Sequence, residues 1–256
     1  MIFDTHAHYD DEAFDEDREE LLGSLRDHGI HYVVNVGASL QGARDSVRLS
    51  SCYSAVYAAV GIHPDEIGCL SDDVMEELID LCRSEHTVAV GEIGLDYHWN
   101  RESHDIQKKG FREQLALARE MDLPVNVHSR DAAQDTLDMI RAEHAGSTGG
   151  VIHCFSGSRE MAREYVRMGY YLGIGGVVTF KNAKTLREVV REIPIECLVT
   201  ETDCPYLAPV PYRGQRNSSL YLPNVIREIA LIKEMTAERA EEILFENAMR
   251  LYRISS

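Results

Sequence analysis

IFDTHAH, residues Ile2–His8, is a short apolar run that leads into two histidines. Four later apolar runs end in the same manner, each with one residue that can bind a metal ion. Those residues are Glu92, His128, His153 and Asp203. A parallel β-barrel brings the C-terminal ends of its strands to one rim, and the active sites of such barrels are built there. The pattern therefore predicts one rim that carries six metal ligands, with His6 and His8 as the first two.

Length and charge limit the class of protein. The 256 residues are close to the ~250 of a single (β/α)8 barrel, and no linker-like or low-complexity tract interrupts them. We therefore expect one domain over residues 1–256. Lys and Arg total 26 against 43 Asp and Glu, which gives a net charge of -17. This balance argues against a basic surface for non-specific nucleic-acid binding, but not against local binding of phosphates through cations and a few basic side chains.

Eight short β-rich runs alternate with helix-like stretches. This alternation indicates parallel strands joined by right-handed crossovers, and eight repeats in this length favour an α/β fold of the (β/α)8 TIM-barrel type. The runs are Ile2–Thr5, Tyr32–Val36, Ala55–Val60, Val88–Glu92, Pro124–His128, Gly150–His153, Tyr170–Ile174 and Leu198–Thr202.

The stretches between the runs have charged faces, and two extra helices follow the last run near the C-terminus. The clearest of the intervening helices are expected over Glu16–His28, Asp73–Ser84, Asp105–Met121 and Ala183–Glu192, and the extra pair over Leu220–Glu234 and Thr236–Tyr252.

The alternation of side chains along a strand orients the candidates. Alternate residues of a barrel strand point inward, so each candidate ligand can face the interior at the top of its strand. By the same rule Asn126 and Glu201 lie one layer down, where they would orient ligands. Cys154 and Cys204 each follow a candidate ligand, so they should point away from the site as small buried residues.

The ligand set limits the chemistry. Imidazole and carboxylate together suit Zn, Mn, Fe, Co or Ni, whereas carboxylate and water suit Mg. Six ligands are too many for one catalytic zinc ion, which keeps three protein ligands, but they suit two ions that share a bridging carboxylate. Singly, His153 fits a structural role and Asp203 fits a turn cap. The location of all six candidate ligands at one rim, in contrast, favours a metal centre that hydrolyses a phosphate ester or an ester or amide bond.

Several residues near other strand ends are candidates for binding the substrate. His63 follows the third strand, and Lys181 follows the seventh. Arg213, Arg216 and Asn217 lie in a proline-containing loop after the eighth strand. Arginine suits phosphate oxygens because its planar fork matches their geometry. A solvated surface loop is the alternative reading of this segment.

Taken together, the motifs resemble those of the TatD-type metal-dependent deoxyribonuclease family. They follow one another in order over nearly the whole chain, with one departure, because many members have a second histidine shortly after the His-Pro pair. This chain has Asp65 and Glu66 there. The motifs are DTHAH at 4–8, GIHP at 61–64, GEIGLDY at 91–97, VHSR at 127–130, HCFSG at 153–157, GVVTFKN at 176–182, ETDCPY at 201–206 and RGQRN at 213–217.

The resemblance implies a barrel with two divalent cations per subunit, of Mg, Mn or Zn. Members of the family are nucleases that often trim DNA from the 3′ end and sometimes act on RNA, and some relatives deacylate D-aminoacyl-tRNA. Carried over, one ion would be bound by His6, His8, Glu92 and Asp203, and the other by Glu92, His128 and His153.

The sequence hypothesis is therefore a 3′-to-5′ exonuclease-type deoxyribonuclease that uses two metals to activate water. Glu92 would bridge the ions, and Asp203 would orient or deprotonate the water. The main alternative is a D-aminoacyl-tRNA deacylase, or another ester or amide hydrolase, with the same site; a non-catalytic binding module is a third. The expected partner is DNA, single-stranded or at 3′ ends, or else RNA, with no membrane and no obligate protein partner. Six cysteines without a C-x-x-C pair and the lack of a signal-peptide pattern favour the cytoplasm.

Overall fold

The computed structural model describes residues 1–99, 102–143 and 148–254. Eight strands form one parallel sheet in the order β1 to β8, and each strand pairs with the next along the chain. This arrangement confirms the predicted (β/α)8 barrel. The strands are β1 Ile2–Ala7, β2 Ile30–Val36, β3 Val56–Val60, β4 Thr87–Asp96, β5 Val125–Arg130, β6 Gly150–Ile152, β7 Tyr170–Ile174 and β8 Leu198–Thr200.

Helices cover the outside of the sheet between successive strands, and the two predicted C-terminal helices follow β8. None of the helices in the described ranges has the length and hydrophobicity needed to cross a bilayer. The helices are α1 Arg18–Ser24, α2 Leu40–Cys52, α3 Asp72–Cys82, α4 His104–Glu120, α5 Ala133–Ala142, α6 Arg159–Arg167, α7 Lys184–Glu192, α8 Leu222–Ile232 and α9 Ala237–Leu251.

The barrel closes between β8 and β1 through both side-chain and backbone hydrogen bonds. The hydroxyl of Thr5 donates to the carbonyl of Thr200 at 3.1 Å, and the hydroxyl of Thr200 donates to the carbonyl of Phe3 at 3.1 Å. At the rim, Ala7 and Cys204 form a parallel bridge. This closure places the motif in β1, which contains His6, beside the motif after β8, which contains Asp203.

The two ends of the barrel differ in what fills them. The first residues of β1, β2 and β3 contribute an aromatic cluster in which the ring of Phe3 lies 5.5 Å from that of Tyr32 and 6.4 Å from that of Tyr57. Phe245 of α9 and Tyr252 just after it complete the cluster, at 6.3 and 5.7 Å from Phe3. The N-terminal end is therefore packed with apolar side chains, which leaves the C-terminal end for polar groups.

A buried carboxylate, Asp4, fixes β1 against the segment that follows β8. It accepts hydrogen bonds from the amide and the hydroxyl of Thr202, at 2.9 and 2.6 Å, and from the hydroxyl of Ser219 at 2.6 Å. Burial raises the pKa of Asp4 to about 7, although the hydrogen bonds from Ser219 and Thr202 act to lower it. The carboxylate thus couples strand β1, which carries His6, to the chain immediately before Asp203.

We predict that Ser219→Ala lowers the free energy of unfolding by about 1–3 kcal/mol, because Asp4 then lacks one donor in a buried site. The hydroxyl of Tyr9, which donates to Ser219 at 2.8 Å, loses its acceptor as well. Urea unfolding of the metal-free protein measures the change. Ser51→Ala removes an exposed hydroxyl from α2 and should alter stability by less than about 0.5 kcal/mol. Equal stability of the two variants would contradict the anchoring role of Asp4.

Candidate metal centre

The six predicted ligands meet at the C-terminal rim. They come from five strand ends, as the sequence predicted, and together with neighbouring side chains they form four compact groups of donor atoms within the described part of the chain. In the first group, donor atoms of His6, His8 and Asp203 all lie within 4.8 Å of one another. In the second group, donor atoms of His63, Glu92 and His128 all lie within 4.8 Å of one another.

The two oxygens of Glu92 face different histidines. Oε2 lies 3.6 Å from Nε2 of His6 and 3.7 Å from Nε2 of His8. Oε1 lies 2.8 Å from Nδ1 of His128 and 3.9 Å from Nε2 of His153. The carboxylate therefore has the position of a group shared between two sites.

The outer ring nitrogens of three histidines are turned toward hydrogen-bond acceptors. Nδ1 of His8 donates to the carbonyl of Val36 at 2.8 Å, so Nε2 of the neutral ring keeps its lone pair. Nδ1 of His6 lies 2.9 Å from Oδ1 of Asn126, which sets the same tautomer. Nδ1 of His153 faces a carboxylate below it at 3.3 Å. Second partners of this kind orient metal-binding imidazoles, and all three rings direct Nε2 toward the shared centre.

The acceptor below His153 is Glu201, so both residues predicted to lie one layer down, Asn126 and Glu201, occupy those positions. Glu201 is fully buried, and its other oxygen accepts from the amide of Cys154 at 2.5 Å. Gly173 of β7 leaves room for the carboxylate, because a Cβ there would lie 2.2 Å from Oε2 of Glu201. The glycine therefore serves the packing of this second layer.

Asp96 is a member of the site that the sequence pattern did not single out. Strand β4 continues past Glu92 to Asp96, whose Oδ2 lies 3.0 Å from Nε2 of His128. Burial would raise the pKa of Asp96, but the bonds from His128 and from the amide of Trp99 lower it to about 2. Asp96 is four residues after Glu92 and so lies on the same face of an extended strand. This spacing was the signal in the sequence that could have pointed to Asp96. The two carboxylates therefore face opposite ring nitrogens of His128, with Asp96 3.0 Å from Nε2 and Glu92 2.8 Å from Nδ1.

His63 differs from the other histidines in its tautomer. Its Nδ1 accepts a hydrogen bond from the amide of Asp65 at 3.1 Å, so the proton of the neutral ring is on Nε2. That nitrogen lies 3.9 Å from Oε1 of Glu92. Burial lowers the pKa of His63 to about 4, despite the opposing effect of Glu92. His63 is therefore a neutral hydrogen-bond donor at the edge of the centre, which suits contact with an anion better than contact with a cation.

The predicted orientation of Cys154 is wrong. Its thiol lies within 4.8 Å of donor atoms of His153 and Asp203, so it faces the site. The reason is local backbone geometry: Cys154 has φ +46°, outside the extended conformation in which neighbours alternate between faces. Cys204, in contrast, is fully buried, as predicted.

The cluster has strongly coupled charges. Burial would lower the pKa of His8, but Asp203 and Glu92 raise it to about 10. Burial likewise opposes protonation of His128, yet Asp96 and Glu92 raise its pKa to about 9. Glu92 itself is buried, and the histidines around it hold its pKa well below the usual value. Protons on the imidazoles can thus balance the carboxylates, and bound cations would take the place of those protons.

Two of the predicted substrate-binding cations lie exposed on neighbouring loops. Lys181 follows the short helical turn after β7. Arg213, in the loop after β8, places its guanidinium carbon 4.5 Å from the ring centre of Phe180. This contact joins the two loops, and both cations are exposed to solvent.

The other two candidates in that loop are engaged in internal contacts. Arg216 donates to the carboxylate of Asp17 and to the carbonyl of Ala13, at 2.8 and 2.7 Å. Asn217 is buried, and its amide donates to carbonyl oxygens of Thr202 and Tyr206 at 2.8 and 2.7 Å. The structure therefore gives both residues a part in holding the loop, and does not bring them to the metal ligands.

Known proteins are similar to this chain in sequence and in architecture. The family model described as TatD related DNase matches residues 3–253. The uncharacterized metal-dependent hydrolase YabD of Bacillus subtilis (strain 168) is 44% identical over 255 residues, covering 100% of both chains. The 3′-5′ ssDNA/RNA exonuclease TatD of Klebsiella pneumoniae (strain 342) is 34% identical and covers 90% of this chain and 89% of its own. The crystal structure of YJJV, a TatD homolog from Escherichia coli K12, has a TM-score of 0.93 at 30% identity, covering 99% of this chain and 98% of the other. The chain therefore belongs to the TatD-related DNase family of metal-dependent hydrolases.

Proposed function

We propose that this protein is a two-metal phosphodiesterase that removes nucleotides from the 3′ end of a DNA strand. The position of Glu92 carries the proposal, because its two oxygens face different groups of donors. A carboxylate so placed can be shared by two cations. One ion would be held by His6, His8, Glu92 and Asp203, and the other by Glu92, His128 and His153.

Such ions, when bound, supply a Lewis acid at the scissile phosphate and lower the pKa of water. The chain positions its own groups for the rest of the reaction. Asp203 is partly exposed toward the rim, and its Oδ1 lies 3.4 Å from Nε2 of His8 and 3.8 Å from Nε2 of His153. Burial would raise the pKa of Asp203, but the surrounding histidines lower it, so the carboxylate is ionised and able to accept a proton from water.

The neutral donor His63 faces the same region, and we assign it to a non-bridging phosphate oxygen. Lys181 and Arg213 would contact phosphates farther along the strand, which agrees with their exposed positions beside the rim. The preference for a 3′ end follows the name of the Klebsiella relative, which also includes RNA. All six cysteines are free thiols, which is compatible with a cytoplasmic location.

The first prediction concerns the shared carboxylate. Glu92→Gln should lower phosphodiesterase activity by at least about 100-fold, because a neutral amide is a poor bridge between two cations. Bound Mn²⁺ should fall from two ions toward one per chain, as measured by metal analysis after dialysis. Glu120→Gln, at an exposed position of α4, is the matched control. Two bound ions and full activity in Glu92→Gln would contradict the shared site.

The second prediction concerns pH. Ligation needs neutral imidazole, and the raised pKa values of His8 and His128 leave both rings protonated at pH 7. Metal binding should therefore release protons, and the affinity for Mn²⁺ should rise from pH 6 to pH 8 by about tenfold or more. Calorimetry in buffers of different ionisation enthalpy counts the released protons. Binding without proton release at pH 7 would contradict the protonation of these two rings in the metal-free protein.

The third prediction separates the two loop arginines. Arg213→Ala should weaken binding of a phosphorothioate DNA strand and reduce the dependence of log K on log salt by about one. Arg216→Ala should leave the salt dependence unchanged, because Asp17 already neutralises this side chain. Fluorescence anisotropy over a salt series measures both effects. Arg83→Ala, at the end of α3 on the opposite side of the barrel, is the control. An equal loss in all three variants would argue against a specific contact.

The choice of substrate is tested with the metal-loaded protein. End-labelled single-stranded DNA, duplex DNA, RNA and D-aminoacyl-tRNA are incubated with it in Mg²⁺, Mn²⁺ or EDTA. Stepwise shortening of single-stranded DNA from the 3′ end, abolished by EDTA, is the expected result. Deacylation of D-aminoacyl-tRNA without shortening of any strand would replace the nuclease by the alternative hydrolase.

A further inference from the structure

A cavity of about 420 Å³ lies directly beside the metal ligands. It opens on His128, His153 and Asp203, and it extends from them toward the start of α7. Its volume is within the ~300–1,000 Å³ typical of small-molecule sites. If a substrate phosphate is bound at the metal ligands, a group attached to that phosphate can therefore enter this confined space.

The walls of this cavity are of mixed polarity. Phe155, Val177 and Leu186 provide apolar surface, whereas Asn182 and Thr185 provide an amide and a hydroxyl. A cavity with apolar walls and a few polar groups suits a ring that has hydrophobic faces and hydrogen-bonding edges. Nucleobases have this combination, and their faces gain free energy from contact with apolar and aromatic side chains.

The charge of the chain also favours a confined contact over a long phosphate track. The net charge is -17, and Arg216 is already paired with Asp17. Arg130, on the cavity wall, places its guanidinium carbon 5.4 Å from the ring centre of Trp99. Lys181 and Arg213 remain exposed for phosphates farther along the strand, and at the ligands themselves a nucleotide can gain further binding energy from contacts of its base.

We infer that the cavity is a binding pocket for the terminal nucleoside of the substrate strand. This inference rests on the proposed function and specifies how that function recognises its substrate. The terminal base lies between the apolar walls, its edge faces Asn182 and Thr185, and the phosphate that joins it to the strand lies at the ligands. A pocket that holds one nucleoside and has no space for a duplex limits hydrolysis to strand ends.

The test compares three probes that differ in one part each: thymidine 5′-monophosphate, deoxyribose 5-phosphate and inorganic phosphate. Calorimetry with Mn²⁺-loaded wild-type protein should show the nucleotide binding at least about tenfold more tightly than deoxyribose 5-phosphate, because only the nucleotide has a base to bury. Thr185→Trp fills the pocket from an exposed position of α7, and it should abolish that ratio while binding of inorganic phosphate is unchanged. Lys184→Trp, the adjacent exposed position outside the cavity lining, should keep the wild-type ratio.

Oligonucleotide hydrolysis by the same wild-type preparation separates the two levels of inference. Wild-type protein that shortens single-stranded DNA but binds the three probes with equal affinity would overturn the nucleoside pocket and leave the nuclease standing. An unchanged ratio in Thr185→Trp would likewise exclude this cavity as the site of the base. Wild-type protein that hydrolyses no nucleic acid would overturn the proposed function and the pocket together.

Discussion

The structure depends on the burial of several ionisable groups around one carboxylate, Glu92. A charge removed from water is costly unless opposite charge and hydrogen bonds surround it. Here imidazoles from four strand ends surround Glu92 and supply the opposite charge and the hydrogen bonds. Further carboxylates in turn balance the charge on the imidazoles. The result is a cluster whose charge balance is sensitive to protons and cations. A hydrolytic metal centre makes use of that property, since cations bind where protons would otherwise be needed.

Such a cluster has to be held in place by the rest of the fold. The aromatic packing around Phe3 fills the opposite end of the barrel and requires no polar group there. Asp4 fastens β1 to the chain before Asp203, and the layer of Asn126 and Glu201 sets the tautomers of the rings above it. Asp4, Asn126 and Glu201 are fully buried. The geometry of the site is therefore a consequence of packing below it.

The sequence predicted the barrel and the meeting of six candidate ligands at its rim because both depend on short-range regularities. Strand–helix alternation fixes the fold class, and the strand period fixes which residues share a face. That period also placed Asn126 and Glu201 correctly. It failed at Cys154, where a left-handed backbone turns the thiol back toward the site. The period alone did not single out Asp96, because the extent of β4 beyond Glu92 depends on its pairing with β5.

The amino-acid sequence by itself thus determined the order of strands and helices, the identity of the candidate ligands and the family of the protein. Only the tertiary structure decided how the charges are partnered. Arg216 is paired with Asp17 across a separation of almost 200 residues in the chain, and His63 carries its proton on the inner nitrogen because of a local amide. The cavity beside the ligands is formed by loops from separate strands. Ion pairs and cavities depend on distances between residues that are far apart in the chain. The sequence pattern does not contain those distances.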